Sequence, residues 1–203
     1  YSFKRARNTI FKEKKWMNYS SKKAQILNVL SWSAKDWIDT YYFDESGFSL
    51  DSNIPYYWSP IGKPVEIPSN RFAKRINVLG FLNTKNNHLF SKTTITKVNT
   101  QVVIDFFNDF VNQITKTTVV ILDNASIHTS KLFKAEIEKW EKLGLQLLFL
   151  PPYSPELNKI EILWKHMKYH YHKLEAYLSF DNLHKHVKNL LAGFGTNYDI
   201  NFK

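Results

Sequence analysis

Three carboxylates stand where the pattern of the chain changes. Asp44 closes the β-rich run Thr40-Tyr41-Tyr42-Phe43, Asp123 closes the apolar run Thr118-Val119-Val120-Ile121-Leu122, and Glu161 opens a helical segment beyond Pro151-Pro152. If the two strands are neighbours, Asp44 and Asp123 point into one crevice of the kind open α/β sheets use for ligands. Glu161 reaches the same crevice from its helix. Carboxylates brought together repel one another unless protonated or bridged by cations. Oxygen donors select hard ions such as Mg²⁺ or Mn²⁺. Two such ions about 4 Å apart activate a hydroxyl nucleophile and stabilise the leaving oxygen of a phosphodiester. Each residue also has a local reading. Asp44 before Glu45-Ser46-Gly47 suits a turn, Asp123-Asn124 suits an Asx turn, and Glu161, three residues after Asn158, suits a capping box.

The flanking residues are more specific. Tyr42-Phe43-Asp44-Glu45-Ser46-Gly47-Phe48 is followed by Val120-Ile121-Leu122-Asp123-Asn124-Ala125-Ser126-Ile127-His128, and then by Leu150-Pro151-Pro152-Tyr153-Ser154-Pro155-Glu156-Leu157-Asn158-Lys159-Ile160-Glu161-Ile162-Leu163-Trp164. In this order they resemble the catalytic blocks of the Tc/mariner transposase superfamily, most closely its bacterial insertion-sequence branch, over about residues 38–195. The resemblance implies a ribonuclease-H-like α/β fold, a mixed five-stranded sheet flanked by helices. It implies that Asp44, Asp123 and Glu161 are the catalytic, metal-binding DDE triad, holding two Mg²⁺ or Mn²⁺ ions. Glu161 is preferred to Glu156 because that family's third ligand follows an Asn-Pro-Ile element.

The same resemblance implies double-stranded DNA as partner, both terminal inverted repeats and a target (a TA dinucleotide), and a homodimer on that DNA. Water cuts the element ends, and the freed 3′-hydroxyl joins target DNA. Asn124 and His128, within the second block, orient the site or touch DNA. Two departures stand out. Lys159 replaces the usual Pro, which loosens the loop or adds a phosphate contact, and the spacing from Asp123 to Glu161 is slightly longer than is common. A structure-selective ribonuclease-H-like nuclease without strand transfer, and a non-catalytic transposase-derived DNA-binding module, are the rival readings.

The elements that must position these residues are legible in outline. A helix is predicted with Ile26, Val29, Leu30 and Ser33 on one face and Ser20 or Ser21 as cap. A strand ending at Asp44 comes next, then a long excursion over residues 51–74 that holds four of the seven prolines. Ile76–Leu82 and His88–Phe90 flank the turn residues Asn83–Asn87. Val103, Phe106, Phe107, Phe110, Val111 and Ile114 form a helical stripe. Thr118–Leu122 reads as a strand buried on both faces, and a helix from Ser130 carries Phe133, Ile137 and Trp140 inward. Leu145–Leu150 is a further strand, Ile160–Leu174 a helix, and Asp181–Leu191 the last helix. An antiparallel meander extended by parallel strands through helical crossovers follows from this order.

Composition agrees with a polyanion partner. The 203 residues carry a formal net charge of +10 and a pI near 9.5, the electrostatic footprint of nucleic-acid binding. Lys4, Arg5, Arg7, Lys12, Lys14, Lys15, Lys22 and Lys23 face only Glu13, either a solvated linker or an arm lying on a phosphate backbone. Residues 1–37 form this arm and a helix, and residues 38–203 the catalytic domain. By the resemblance, the arm ends the linker after a helix-turn-helix region that precedes Tyr1. His166 and His170 have the i, i+4 spacing of a helical metal site, with His172 nearby, but beside Lys165 and Lys168 they suit a face against phosphates better. The excursion around Tyr56-Tyr57-Trp58 resembles the family's insertion that clamps a partner subunit. With no cysteine, disulfides and thiol chemistry are excluded. No run reaches the length that spans a bilayer, no membrane partner is expected, and a cytoplasmic, nucleoid-associated setting follows by default.

Overall fold

A computed structural model describes residues 16–50, 58–64, 66, 74–171 and 173–202. Lys4, Arg5, Arg7, Tyr56, Tyr57 and His172 lie outside the described residues. In chain order the elements are α1 (Trp16–Ala34), β1 (Asp39–Ser49), β2 (Arg75–Asn83), β3 (His88–Thr94), α2 (Thr100–Val111), β4 (Thr118–Leu122), α3 (Lys131–Lys142), β5 (Leu145–Phe149), α4 (Ile160–Tyr169) and α5 (Phe180–Gly193). The sheet order is β3-β2-β1-β4-β5. β1, β2 and β3 are antiparallel, whereas β4 and β5 add in parallel to β1 through α2 and α3. This is the expected mixed five-stranded sheet between helices. No described helix is long and apolar enough to cross a membrane.

Alternation along β1 sets the two faces. Tyr42 and Phe48 point to α1, α4 and α5, where they join Ile26, Ile121, Leu163, Trp164, Met167, Leu183 and Val187. Phe43 points the other way, to a cluster with Phe81, Phe106, Phe107, Phe110, Val120, Leu122, Phe133 and Trp140. All five residues of β4 are buried, as the continuous apolar run requires when helices cover both faces. Ser130 caps α3, its hydroxyl accepting from the Phe133 amide, and Asn99 caps α2 through the Val102 amide. Each satisfies an amide that the helix itself cannot.

Three expectations are corrected. β1 does not end at Asp44; it runs through Glu45-Ser46-Gly47 to Ser49 because β2 pairs with it all the way, from Tyr42 opposite Leu82 to Ser49 opposite Arg75. Gly47 stays extended there, and an added Cβ would overlap the Arg75 guanidinium. Ser20 and Ser21 cap nothing, since α1 already includes Trp16. α4 stops five residues short of Leu174. The amides of His170 and Tyr171 both turn to the His166 carbonyl, His186 on α5 takes the Tyr171 carbonyl, and Leu174–Tyr177 forms a 3-10 turn that buries Ala176 and Tyr177. Packing against α5 overrides the helical period.

Candidate active site

β4 pairs with β1 only from Asp39 opposite Thr118 to Tyr42 opposite Ile121. Continued one-to-one, that register sets Asp44 level with Asp123, just where β4 stops and the sheet opens. Strand alternation turns both carboxylates to the α4 face, and there Glu161 stands in the first turn of α4. Asp44, Asp123 and Glu161 line one cleft of about 490 Å³, together with Asn124, Ala125, Asn158 and the Leu150–Pro155 loop. Glu156 is not among its walls.

Two contacts seat α4 beside Asp44. Gly80 lies opposite Asp44 on β2, and a Cβ there would come within 2.9 Å of Trp164 and 3.2 Å of Ile160. Glycine thus lets the helix lie close against the strand. Asn158, itself buried, donates from Nδ2 to the Phe43 carbonyl at 3.1 Å, which ties the loop before α4 to the residue before Asp44. This bond also fixes the amide's orientation, because a flipped amide would set oxygen against oxygen. The side chain of Asn158 therefore does not cap α4, so the expected capping box with Glu161 is absent; only the Asn158 carbonyl accepts, from the Glu161 amide. The expected Asx turn is present, with the Ala125 amide on Asp123 Oδ1 at 2.9 Å.

The electrostatics are those of a crowded acidic site. Burial, with Glu161, Glu45 and Asp123 nearby, pushes the Asp44 carboxyl well above the ordinary carboxylate range. Burial also raises Glu161, with Asp123 adding to the rise and Lys168 opposing it. Asp123 is lowered instead, chiefly by its hydrogen bond from His128. Burial works against the charged His128 ring, yet hydrogen bonds to Asp123 and Glu45 outweigh it and push its pKa up to about 9. Lys168, about two turns beyond Glu161 along the same face of α4, sits over the Phe48 ring at 5.5 Å. Its pKa is lowered by burial and by Arg75, against the pull of Glu161 and Asp44.

The donor set suits a hard divalent cation. Three carboxylates line the cleft, no thiol competes, and the buried Asn158 Oδ1 has no hydrogen-bond partner among the described residues. Asp44 and Glu161 both have raised proton affinity, chiefly from burial, with neighbouring carboxylates adding to it. Among the described residues, however, no three side chains of His, Cys, Asp or Glu are already drawn together closely enough to hold an ion.

The residues suggested for DNA contact divide. Lys165 is exposed and Lys168 half-buried on the same helix. Of the two roles expected of His128, orienting the site or touching DNA, the geometry favours the first: it is 1% exposed and both ring nitrogens are taken by carboxylates, which leaves no surface for DNA. Asn124 donates to the Leu150 carbonyl and so braces the cleft wall. Lys159 Nζ holds the Phe202 carbonyl at 2.6 Å, anchoring the carboxy-terminal segment. His166 and His170 lie with ring centroids 4.8 Å apart. Sequence reasoning passed over Glu45 and Gly80. Glu45 is masked by its neighbour Asp44, and Gly80 carries no signal until α4 is seen beside it.

Comparison with known proteins supplies a family and a fold. The family model described as DDE superfamily endonuclease matches residues 39–184. The Mos1 mariner paired-end complex with Mn contains a chain similar in fold, with a TM-score of 0.63 at 16% identity, covering 95% of this chain and 59% of that one. The Mos1 transposase paired-end complex with the left transposon end gives a TM-score of 0.61 at 16% identity, with the same two coverages, 95% and 59%. The catalytic domain of Mos1 mariner transposase gives 0.54 at 14% identity, covering 91% of this chain and 84% of that one. The chain thus spans about three-fifths of the longer Mos1 chains. No curated protein matches it in sequence.

Proposed function

The chain belongs to the DDE superfamily endonucleases, and from that premise we propose that it is the catalytic part of a DNA transposase whose site is Asp44, Asp123 and Glu161. The observation that carries this reading is the convergence of three carboxylates, distant in sequence, on one cleft at the point where β4 leaves β1. Divalent cations (Mg²⁺ or Mn²⁺, two in the active complex) would supply the Lewis acidity that activates the attacking oxygen and stabilises the leaving one. Asp44 and Asp123 would hold them from the sheet and Glu161 from the helix. Three carboxylates on one cleft favour such binding.

In the first step a water oxygen forms a new bond to phosphorus at an element end, and the bond to the 3′-oxygen breaks. In the second, that 3′-hydroxyl attacks a phosphodiester of target DNA (by family likeness a TA step), and a new 3′-oxygen leaves. Lys165 and Lys168 on α4 would meet the backbone phosphates, and binding should weaken steeply with salt. Trp58 and Ile61, both fully exposed, are suited to the contact between two copies on DNA.

The test uses duplexes ending in the inverted repeats that flank the protein's own gene, with Mn²⁺ or Mg²⁺. Cleavage at the ends and joining of a pre-cut 3′-hydroxyl end to plasmid, both abolished in Asp123→Asn, support the proposal. Hydrolysis without joining points to the nuclease reading. Cleavage unchanged in Asp123→Asn removes the assignment altogether.

A further inference from the structure

Asp44 and Glu45 are adjacent on one strand, so they face opposite sides of the sheet. Asp44 lines the cleft; Glu45 points to the aromatic side, with its side chain 16% exposed. Its Oε1 is 3.0 Å from His128 Nε2. The other ring nitrogen, Nδ1, is 2.8 Å from Asp123 Oδ1. The ring itself is held edge-on to Phe43, with centroids 5.4 Å apart, and tilted against Phe133 at 5.9 Å. Below it, the His128 amide closes a turn on the Ala125 carbonyl at 3.0 Å.

The consequence falls on Asp123. Its Oδ1 accepts twice, from His128 and from the Ala125 amide. Its Oδ2 has no hydrogen-bond partner among the described residues, and the side chain is 51% exposed. The carboxylate is therefore turned so that one chosen oxygen is offered to the cleft. We propose that Glu45 and His128 are positioning residues for the site: Glu45 orients the imidazole, and the imidazole fixes Asp123 so that Oδ2 is presented as a single-oxygen cation ligand. This rests on the reading that Asp123 holds a divalent cation. Groups behind a metal ligand that lock its orientation generally change metal affinity about 10- to 100-fold when removed. A carboxylate already fixed loses less freedom on binding than one that must be ordered.

Calorimetric titration of Mn²⁺ into the whole chain, with thermal melting in EDTA as control, tests it. Glu45→Ala is expected to weaken Mn²⁺ binding about 10-fold and His128→Ala about 10- to 100-fold. The double variant should bind no more weakly than His128→Ala alone, because Glu45 acts only through the ring. Glu45→Gln should recover most of the loss, since its amide oxygen still accepts from Nε2. Mn²⁺ affinity of Glu45→Ala equal to wild type, with only its melting in EDTA lowered, overturns the proposal. So do losses that add in full. If His128→Ala does not fold, the Glu45→Ala and Glu45→Gln pair decides alone. Failure of the underlying reading looks different: wild type binds no Mn²⁺, or Asp123→Asn binds it normally, and the proposal then falls with that reading.

Discussion

Behind the sheet, α2 and α3 close over rings packed on rings. Phe81 stacks on Phe110 at 4.0 Å and on Phe106 at 5.0 Å, and Phe107 stacks on Trp140 at 4.9 Å. In front, α1, α4 and α5 close over a mainly aliphatic cluster, and the packing opens where β4 ends beside Asp44 of β1 into an acidic cleft. The two faces share the same strands, yet they hold opposite residues: buried rings on one, and on the other three cleft carboxylates, two of them with raised proton affinity. Interlocked aromatic rings tolerate little movement, so the rear face can serve as a rigid backing for the acidic front face. His128 joins them, since it packs on Phe43 and Phe133 behind and holds Asp123 in front.

That division can be broken by substitution. The largest effect expected is on chemistry at the front: Asp123→Asn should lower the rate of DNA cleavage by about a thousandfold or more, several kcal/mol of barrier. Nicking kinetics in Mn²⁺ check this. Asp44→Asn should do the same to cleavage while raising the melting temperature in EDTA, because a neutral amide removes the buried, repelled charge. A fall in that melting temperature would deny that the front face is under electrostatic strain.

Behind the sheet, Phe107→Ala should cost about 3–5 kcal/mol of stability by urea unfolding, as expected for an aromatic ring lost from a close-packed core. Gly80→Ala sits between the two kinds. A Cβ 2.9 Å from Trp164 should cost about 1–3 kcal/mol through overpacking and also slow cleavage, because α4 carries Glu161 away from Asp44. An unaltered cleavage rate would show that the close approach serves packing alone. The smallest effect is local to the rear face: Ser130→Ala should remove about 1 kcal/mol by uncapping α3 and leave Mn²⁺ affinity untouched.

Much of this was legible in the chain. Thr118–Leu122 is a strand with the bounds its β-branched run predicts, and Ser130 caps the helix it precedes. Phe133 and Trp140 are buried as their spacing requires, and the order of strands and helices is the predicted one. These features depend on residues close in sequence, whose periodicity and turn chemistry act locally. The three carboxylates were also identifiable, from the residues that flank each of them.

What local pattern could not supply is whatever depends on partners far along the chain. Glu45-Ser46-Gly47 reads as a turn, but pairing with β2, about thirty residues later, holds it extended. Gly80 looks like an ordinary strand glycine until Trp164 lies over it. Glu45 and His128 are 83 positions apart, and no spacing rule joins them. Backbone preferences of a few tenths of a kcal/mol per residue yield to sheet pairing and core burial worth several. The sequence alone determined which residues could do chemistry and the elements that carry them. Tertiary structure decided which oxygen of which carboxylate faces the cleft, because that orientation is set by contacts closed only when distant strands and helices meet.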